Sequence, residues 1–272
     1  MLKGMKVIVI GLLCLLVAAP AAMAGGNVVI KGSTTVLPVA QAAAEAYMKI
    51  KKDVNISLSG GGSGDGVKAL IDKSTDIANS SREMKKQETD LAKTKGVNPM
   101  AHVVAIDAIV PIVNPKNKVK DLSTDQLSQI YQGKITNWKE VGGENLAIVV
   151  ISRDSSSGTY ESWGHLVLNG AKVTPRAQLQ ASNGAIVQAI SKNRYAIGYI
   201  GIGYLNKSVQ ALTVNGIQAS AKTALSKEYP VARPLYMYTD GAPKGDTEGF
   251  VKFLLSKKGQ EIVKKAGFVP IN

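Results

Sequence analysis

"VNISLSGGGSGDGVKALI", residues 54–71, decides how this chain is read. Its first five residues alternate apolar and polar, as a half-buried strand does. "GGGSGDG" (60–66) then sets five glycines around Ser63 and Asp65, and "VKALI" resumes at once as a helix. Glycine this dense either leaves a chain disordered or lets its backbone come very close to something, because no Cβ stands in the way. A strand that leaves through such a loop into a helix is the repeating unit of an open α/β sheet, and ligands of such sheets gather at the strand carboxyl ends.

Outward from this stretch the same alternation recurs. "NVVIK" (27–31) reads as a strand, and "GSTT" leads into the helix "VLPVAQAAAEAYMKI", with Val39, Ala43, Ala46 and Ile50 expected on its buried face. "TDIANSSREM" is a short strand entering a Ser-rich turn, and "KKQETDLAKTKG" is a helix closed by Gly96. "AHVVAIDAIVPIVNP" is a long strand-like run with Pro111 and Pro115 inside or ending it, and "STDQLSQIYQGK" is a helix opened by a Ser123 cap. Strand, Ser-rich turn and helix follow in "NLAIVVISRDSSSGTYESWGHLVLNG", then helix and strand in "NGAIVQAISKNRYAIGYIG". "RPLYMYTDG" is a further strand, and "DTEGFVKFLLSKKGQEIVKKAG" makes two closing helices.

Residues 1–24 read as a cleaved secretory signal: a basic start with Lys3 and Lys6, a 13-residue apolar stretch, and the small-residue site "AMA" (22–24). The apolar stretch is short for a membrane anchor. The single cysteine, Cys14, lies inside it, so the exported chain has no disulfide and no cysteine metal site. Removing 24 of 272 residues leaves 248, enough for one large domain or two modest lobes. The net charge falls from +13 to +11 as Lys3 and Lys6 leave. The remaining lysines are scattered over predicted helix faces and loops with few aromatics between them, which argues against a nucleic-acid groove. A positive field would still speed the arrival of small anions. Three Phe and two Trp offer little for stacking a sugar or aromatic ligand.

Four junctions look alike: Ser33-Thr34-Thr35, Ser63, Ser80-Ser81 and Ser155 to Thr159 each end a strand in a Ser/Thr/Gly turn that starts a helix. A hydroxyl there has an ordinary role, capping free N–H groups for about 1 kcal/mol. Four such turns on one sheet edge would also converge hydroxyls, free N–H groups and positive helix ends on an anion. "SRDSSSGTY" adds Arg153, whose planar fork suits a tetrahedral oxyanion, although a salt bridge with Asp154 is the plainer use of it.

"KGSTTVLPVA", "GGGSGDGVKAL", "DIANSSREM", "IDAIVPIVNP" and "ISRDSSSGTYESW" stand in the order found in periplasmic phosphate-binding proteins of ABC transporters, and the chain resembles that family from about Asn27 to Asn272. The resemblance implies an α/β, two-lobed periplasmic-binding-protein fold of type II, each lobe a doubly wound sheet, joined by two hinge crossings. Lobe one would be 25–109 plus 232–272 and lobe two 110–231, with crossings near Ala108 to Asn114 and Pro230 to Leu235. It implies phosphate held between the lobes by Ser33, Thr34, Thr35, Ser63, Ser81, Arg82, Arg153, Ser157, Gly158 and Thr159. The implied partners are inorganic phosphate and the membrane permease of a phosphate ABC transporter; the protein is expected to be a periplasmic monomer without a cofactor and without nucleic acid. One departure stands out. Where the family carries an Asp to accept the ligand's proton, this chain has Ser81 followed by Arg82, so Asp65 or, second, Asp107 is expected to take that role.

Enzymatic readings find less. Gly66 is followed by Val67-Lys68-Ala69 rather than the Lys-Ser/Thr of a nucleotide-phosphate loop, and "SSSGT" is not a Gly-x-Ser-x-Gly elbow. His102 and His165 are the only histidines, and both are expected to be structural. No carboxylate–histidine cluster indicates a metal. The alternatives that remain are a receptor for another tetrahedral oxyanion, sulfate or molybdate, and an exported phosphohydrolase or phosphate-scavenging surface protein.

Overall fold

Residues 26–271 are described by the computed structural model of the chain. The expected signal sequence, 1–24, lies outside them. β1 (Asn27–Ser33) turns through Thr34-Thr35-Val36 into α1 (Leu37–Ile50), and β2 (Asn55–Gly61) returns parallel to β1 with Asn27 opposite Asn55 and Ser33 opposite Gly61. After α2 (Ser63–Ile71), β3 (Ile77–Ser80) lies parallel to β1 on its other side, and α3 (Lys86–Thr94) follows. The stretch 54–71 is therefore strand and helix as its pattern predicts, but the expected loop of 60–66 shrinks to Gly62: Gly60 and Gly61 extend β2, and Ser63 to Gly66 form the first turn of α2.

α1 buries a face rotated from the expected one. Val39, Ala40, Ala43, Ala44 and Tyr47 are covered, Ala46 only partly, and Ile50 is 53% exposed. The Tyr47 ring meets Phe250 edge-on at 5.9 Å and Phe253 at 5.4 Å, so the stripe turns toward the closing helices of the chain. That contact could not be read from periodicity within α1.

β4 (Pro99–Val113) is fifteen residues long and belongs to both halves of the sheet. Its first part pairs antiparallel with a strand near the chain's end, Ala232–Asp240, from Pro99 opposite Asp240 to Ala108 opposite Ala232. From Ile109 to Val113 it pairs instead with a strand running Ala196–Gly201. The handover falls between Ala108 and Ile109, with Pro111 just beyond it. Pro lacks the N–H a ladder needs; the Pro111 carbonyl accepts from Leu212 N at 2.9 Å.

Beyond β4 come β5 (Asp121–Leu122), α4 (Thr124–Gln132), β6 (Val149–Arg153), α5 (Gly158–Leu166), β7 (Gln178–Gln180), α6 (Asn183–Lys192) and β8 (Ala196–Gly201). The Ser123 hydroxyl caps α4 by accepting from Gln126 N at 3.0 Å, as expected. The short β9 (Gln210–Ala211), β10 (Thr213–Val214) and α7 (Ala221–Leu225) lead to β11 (Ala232–Asp240), α8 (Gly245–Leu255) and α9 (Lys257–Lys265). The sheet order is β2-β1-β3-β11-β4-β8-β6-β7, with β9 also on β4.

Two bodies of packing share this sheet. One places Val28, Ile30, Ile56, Val104, Leu235 and Met237 against α1, α8 and α9. On the opposite face of the same strands, Ala78, Tyr236 and Tyr238 meet Val67 and Leu70 of α2 and Ala92 of α3. Leu235/Met237 and Tyr236/Tyr238 thus show the two-residue period of a strand covered on both faces. The other body gathers Ile109, Ile112, Tyr131, Trp163, Ile186 and Tyr199. There Trp163 stacks on Tyr199 at 4.4 Å and 10°, with Tyr131 edge-on to Trp163 at 5.1 Å. Among the described residues, β4 and β11 run between the two bodies, and Val269 of the tail and Ile202 also pack at the boundary, where the Ser/Thr turns lie.

Candidate functional site

The turns meet hydroxyl to hydroxyl. Thr35 Oγ1 lies 2.8 Å from Thr159 Oγ1, and Ser63 Oγ lies 3.3 Å from Ser81 Oγ while accepting from Ser81 N at 3.0 Å. Ser33 Oγ accepts from Thr35 N at 3.2 Å, which tightens the turn into α1. Ser157 caps α5, its Oγ accepting from Tyr160 N at 3.2 Å. Ser33, Thr34, Thr35, Ser63, Ser81, Ser157, Gly158 and Thr159, eight of the ten residues expected here, come together, and all are buried. The N-terminal ends of α1, α2 and α5 point into the cluster, so their free N–H groups and positive ends add to it.

Glycine makes this approach possible. A Cβ on Gly158 would fall 2.3 Å from Ser63 Oγ and 2.8 Å from Ser81 Oγ, and one on Gly62 would fall 2.0 Å from Ser156 Oγ. Gly64 N donates to Ser156 O at 2.9 Å. The glycine-rich junction of β2 and α2 is thus shaped to receive the Ser156 turn arriving from across the boundary.

The charges are arranged differently from expectation. Arg153 is buried beside the cluster, as proposed from its spacing, but Asp154 is a distant partner at 3.9 Å. Its Nε donates to Gln180 O at 3.0 Å and its Nη2 to Ala181 O at 2.9 Å, which leaves Nη1 out of both contacts. Burial pushes the Arg153 guanidinium down; Asp154 opposes this, while nearby Arg233 reinforces it. The surroundings are short of negative charge. Asp154 instead accepts from Ser156 N and Oγ at 2.9 and 2.5 Å.

Arg82 does not serve as an expected anion donor. Its Nη1 and Nη2 grip Glu88 at 2.7 Å each, and its Nε lies 2.9 Å from Glu161 Oε1 of α5, off the line of a good hydrogen bond. Lys85 Nζ reaches the other Glu161 oxygen at 2.9 Å. A planar fork between two carboxylates has its charge matched there, so Arg82 bridges the boundary instead of facing the cluster. Asp65 is likewise diverted. It is exposed, and its carboxylate accepts from Gly62 N at 2.7 Å at the start of α2. Asp107 is fully buried, yet its Oδ2 is taken by Arg233 and its Oδ1 by Ile202 N at 3.0 Å. Burial pushes the Asp107 carboxyl up and the Arg233 guanidinium down, and their pairing opposes both shifts.

Two residues at the cluster escaped the sequence reading. Arg233 Nη1 donates to Gly158 O at 3.0 Å and its Nη2 to Thr159 Oγ1 at 2.9 Å. Asn183 Nδ2 donates to Thr34 Oγ1 at 3.2 Å and Thr35 Oγ1 at 3.1 Å. The signal for Asn183 was present: "QASNG" is another strand–Ser turn–helix junction, with Ser182 capping α6. Arg233 had no comparable signal, since it sits alone in a strand between Ala232 and Pro234. Tyr204 adds a hydroxyl that donates to Thr34 O, and burial pushes its phenol up to about 12.

His102 lies 2.9 Å from Thr239 on the outer part of β4, and His165 closes α5 away from the hydroxyls. Among the described residues no group of His, Cys, Asp and Glu could hold a metal ion, and no helix is long and apolar enough to cross a membrane.

A two-lobed α/β binding protein, with a buried cluster of hydroxyls where the sheet passes from one lobe to the other, is the class that this fold and these groups define. A family model, the PBP superfamily domain, matches residues 17–258. Phosphate-binding protein PstS of Bacillus subtilis (strain 168) is 34% identical over 250 residues, covering 91% of this chain and 82% of that one. The PstS of Borreliella burgdorferi is 35% identical over 255 residues, with 89% of each chain covered. Among solved structures, a Clostridium perfringens phosphate ABC transporter substrate-binding protein with bound phosphate superposes with a TM-score of 0.85 at 37% identity, covering 91% of this chain and all of that one. The chain belongs to the PBP superfamily, in the family of the PstS phosphate-binding proteins.

Proposed function

We propose that this chain captures inorganic phosphate between its two lobes and hands it to the membrane permease of a phosphate ABC transporter. The observation that carries the reading is the meeting of Thr34, Thr35, Ser63, Ser81, Gly158 and Thr159, from both sides of the β4 handover, beside the buried Arg153. Hydroxyls, helix ends and an arginine replace the water shell of an oxyanion, and closure of the lobes excludes solvent from it. The phosphate named in the relatives' descriptions supports the same choice of ligand. The lobes are taken as 25–109 with 232–272, and 110–231. The chain works as a monomer in the periplasm, after cleavage of residues 1–24, and catalyses no reaction. The serines of the cluster are hydrogen-bonded to one another and to backbone.

Calorimetric titration of the mature chain with phosphate, sulfate and molybdate tests this. Saturable binding of phosphate in preference to the other two is expected. Tight binding of sulfate or molybdate without phosphate binding would reassign the ligand, and turnover of a chromogenic phosphate ester would overturn the non-enzymatic reading.

A further inference from the structure

The hydroxyls of this cluster have their polarity set by groups behind them. A threonine hydroxyl can donate or accept, so three of them around an anion need not all present hydrogen. Here the choice is constrained. Asn183 Oδ1 accepts from the backbone N–H of Gly201 at 3.1 Å, and a backbone N–H can only donate, so the amide cannot be reversed. Its Nδ2 must therefore face Thr34 Oγ1 and Thr35 Oγ1 and donate to both. Arg233 has no acceptor at all, and its Nη2, steadied by Asp107, donates to Thr159 Oγ1 at 2.9 Å. Ser63 Oγ is claimed in the same manner by Ser81 N. Each of these oxygens has a lone pair occupied by an N–H, so its hydrogen points elsewhere; Thr35 and Thr159, 2.8 Å apart, spend one of their two hydrogens on each other and keep one for the ligand.

We infer that Asn183 and Arg233 are positioning residues that hold Thr34 and the Thr35–Thr159 hydroxyl pair so that one hydrogen from Thr34 and one from the pair point to the bound oxyanion. The inference rests on the reading of this cluster as the phosphate site. The hydrogens so presented suit the accepting oxygens of an oxyanion.

Asn183→Asp is the sharpest test, because one carboxylate oxygen can keep the Gly201 contact while the other reverses the contacts to Thr34 and Thr35. Phosphate titration of the mature wild-type chain comes first; absence of binding there would overturn the site reading itself. Given binding, Asn183→Asp should weaken it about 100-fold near pH 8, from two reversed hydrogen bonds in a charged site. Relative to wild type at each pH, the deficit should shrink toward about pH 5, where the introduced carboxyl takes up a proton and donates again. Asn183→Ala should show a smaller deficit with no such pH trend. Equal, pH-independent losses in the two variants would overturn the inference and leave Asn183 a packing residue. Should Asn183→Asp fail to fold by circular dichroism, Thr35→Ser and Thr35→Val carry the same question. Thr35→Ser must bind nearly as wild type and Thr35→Val about 10-fold more weakly, from the loss of one donor to an anion; equal affinities in those two would overturn it.

Discussion

Asp107 and Arg233 face each other across β4 and β11, and Asp107 Oδ2 takes the Arg233 Nε and Nη2 hydrogens at 3.2 and 3.0 Å. The pair sits one residue before β4 changes partners, so it stands at the crossing and touches the cradle through Thr159. Removing one member of a buried pair strands the other, at a cost of about 3–5 kcal/mol. Asp107→Ala should lower the unfolding free energy by that order in urea. Arg233→Met should behave differently with pH. Burial already pushes the Asp107 carboxyl up, and without Arg233 its main opposing charge is gone. A carboxyl whose folded pKa is raised is most favourable to the fold below its unfolded pKa, and that advantage is lost as pH rises through the folded value. Arg233→Met should therefore lose stability relative to wild type between about pH 4 and pH 8. A flat difference over that range would show that the lone carboxyl is not what destabilises the variant.

Arg153 is held by the carbonyls of Gln180 and Ala181, which aim its fork. Arg153→Ala should reduce phosphate affinity about 1000-fold while the chain remains folded, the cost of leaving a buried anion without its cation. Arg153→Lys should recover little, since an ammonium cannot satisfy two carbonyls and an oxyanion in the same plane. Titration calorimetry with circular dichroism on the same samples checks both; near-normal affinity in Arg153→Ala would remove it from the site.

Gly158→Ala separates folding from closure. Alanine suits the start of α5 better than glycine by up to about 1 kcal/mol. Its Cβ, however, would lie 2.3 Å from Ser63 Oγ in the closed arrangement. The variant should unfold no earlier than wild type yet fail to contract in small-angle scattering when phosphate is added. Contraction equal to that of wild type would mean that the Ser63 and Gly158 turns do not meet in the liganded form.

Asp65→Asn should leave the preference between phosphate and sulfate unchanged, against the expectation from the sequence. The side chain is exposed and accepts from Gly62 N at the head of α2. The loss expected is about 0.5–1 kcal/mol of stability from a weaker charge at a helix start. Competition titration with sulfate reads the preference, and a shift toward sulfate would restore Asp65 as the proton acceptor.

Acid should weaken the fold through particular carboxylates. Hydrogen bonds from Lys68 and Lys95 hold Asp72 at about 2, against an ordinary 3.8. Burial pushes Glu88 up, but the hydrogen bonds from Arg82 and from the Lys85 amide outweigh it and hold the group below its ordinary range. Depressed folded values mean that these groups support the fold above their unfolded pKa, and that the support is lost as pH falls through the folded value. Thermal unfolding should thus be steady near neutrality and drop between about pH 4 and pH 2. Glu88→Gln should flatten part of that drop; an unchanged acid profile would discount the Arg82–Glu88 pair.

The strand–turn–helix units were legible because each is local: "VNISL" and "GGGSGDG" carry their own periodicity and breakers. So were the hydroxyl turns and Arg153, whose types and spacing announce them. What stayed hidden depends on contacts far apart in the chain. Arg82 looks like an anion donor until α5 brings Glu161 to it, and Asp65 looks like an acceptor until α2 uses it as a cap. Tyr47 replaced Ile50 on the buried face of α1 because Phe250, some two hundred residues later, packs there. Arg233 was invisible for the same reason: its partner Asp107 is 126 positions away.

α5 carries the Gly158-Thr159 end of the cradle and, within its first turn and a half, the Glu161 carboxylate that Arg82 and Lys85 share from the other lobe. A helix that short moves as one stiff piece. Seating Thr159 against Thr35 and bringing Glu161 between the two cations are therefore a single event seen from inside and from the rim. Opening the cradle would therefore also pull Glu161 away from Arg82 and Lys85, so the two lobes cannot part without breaking ion pairs.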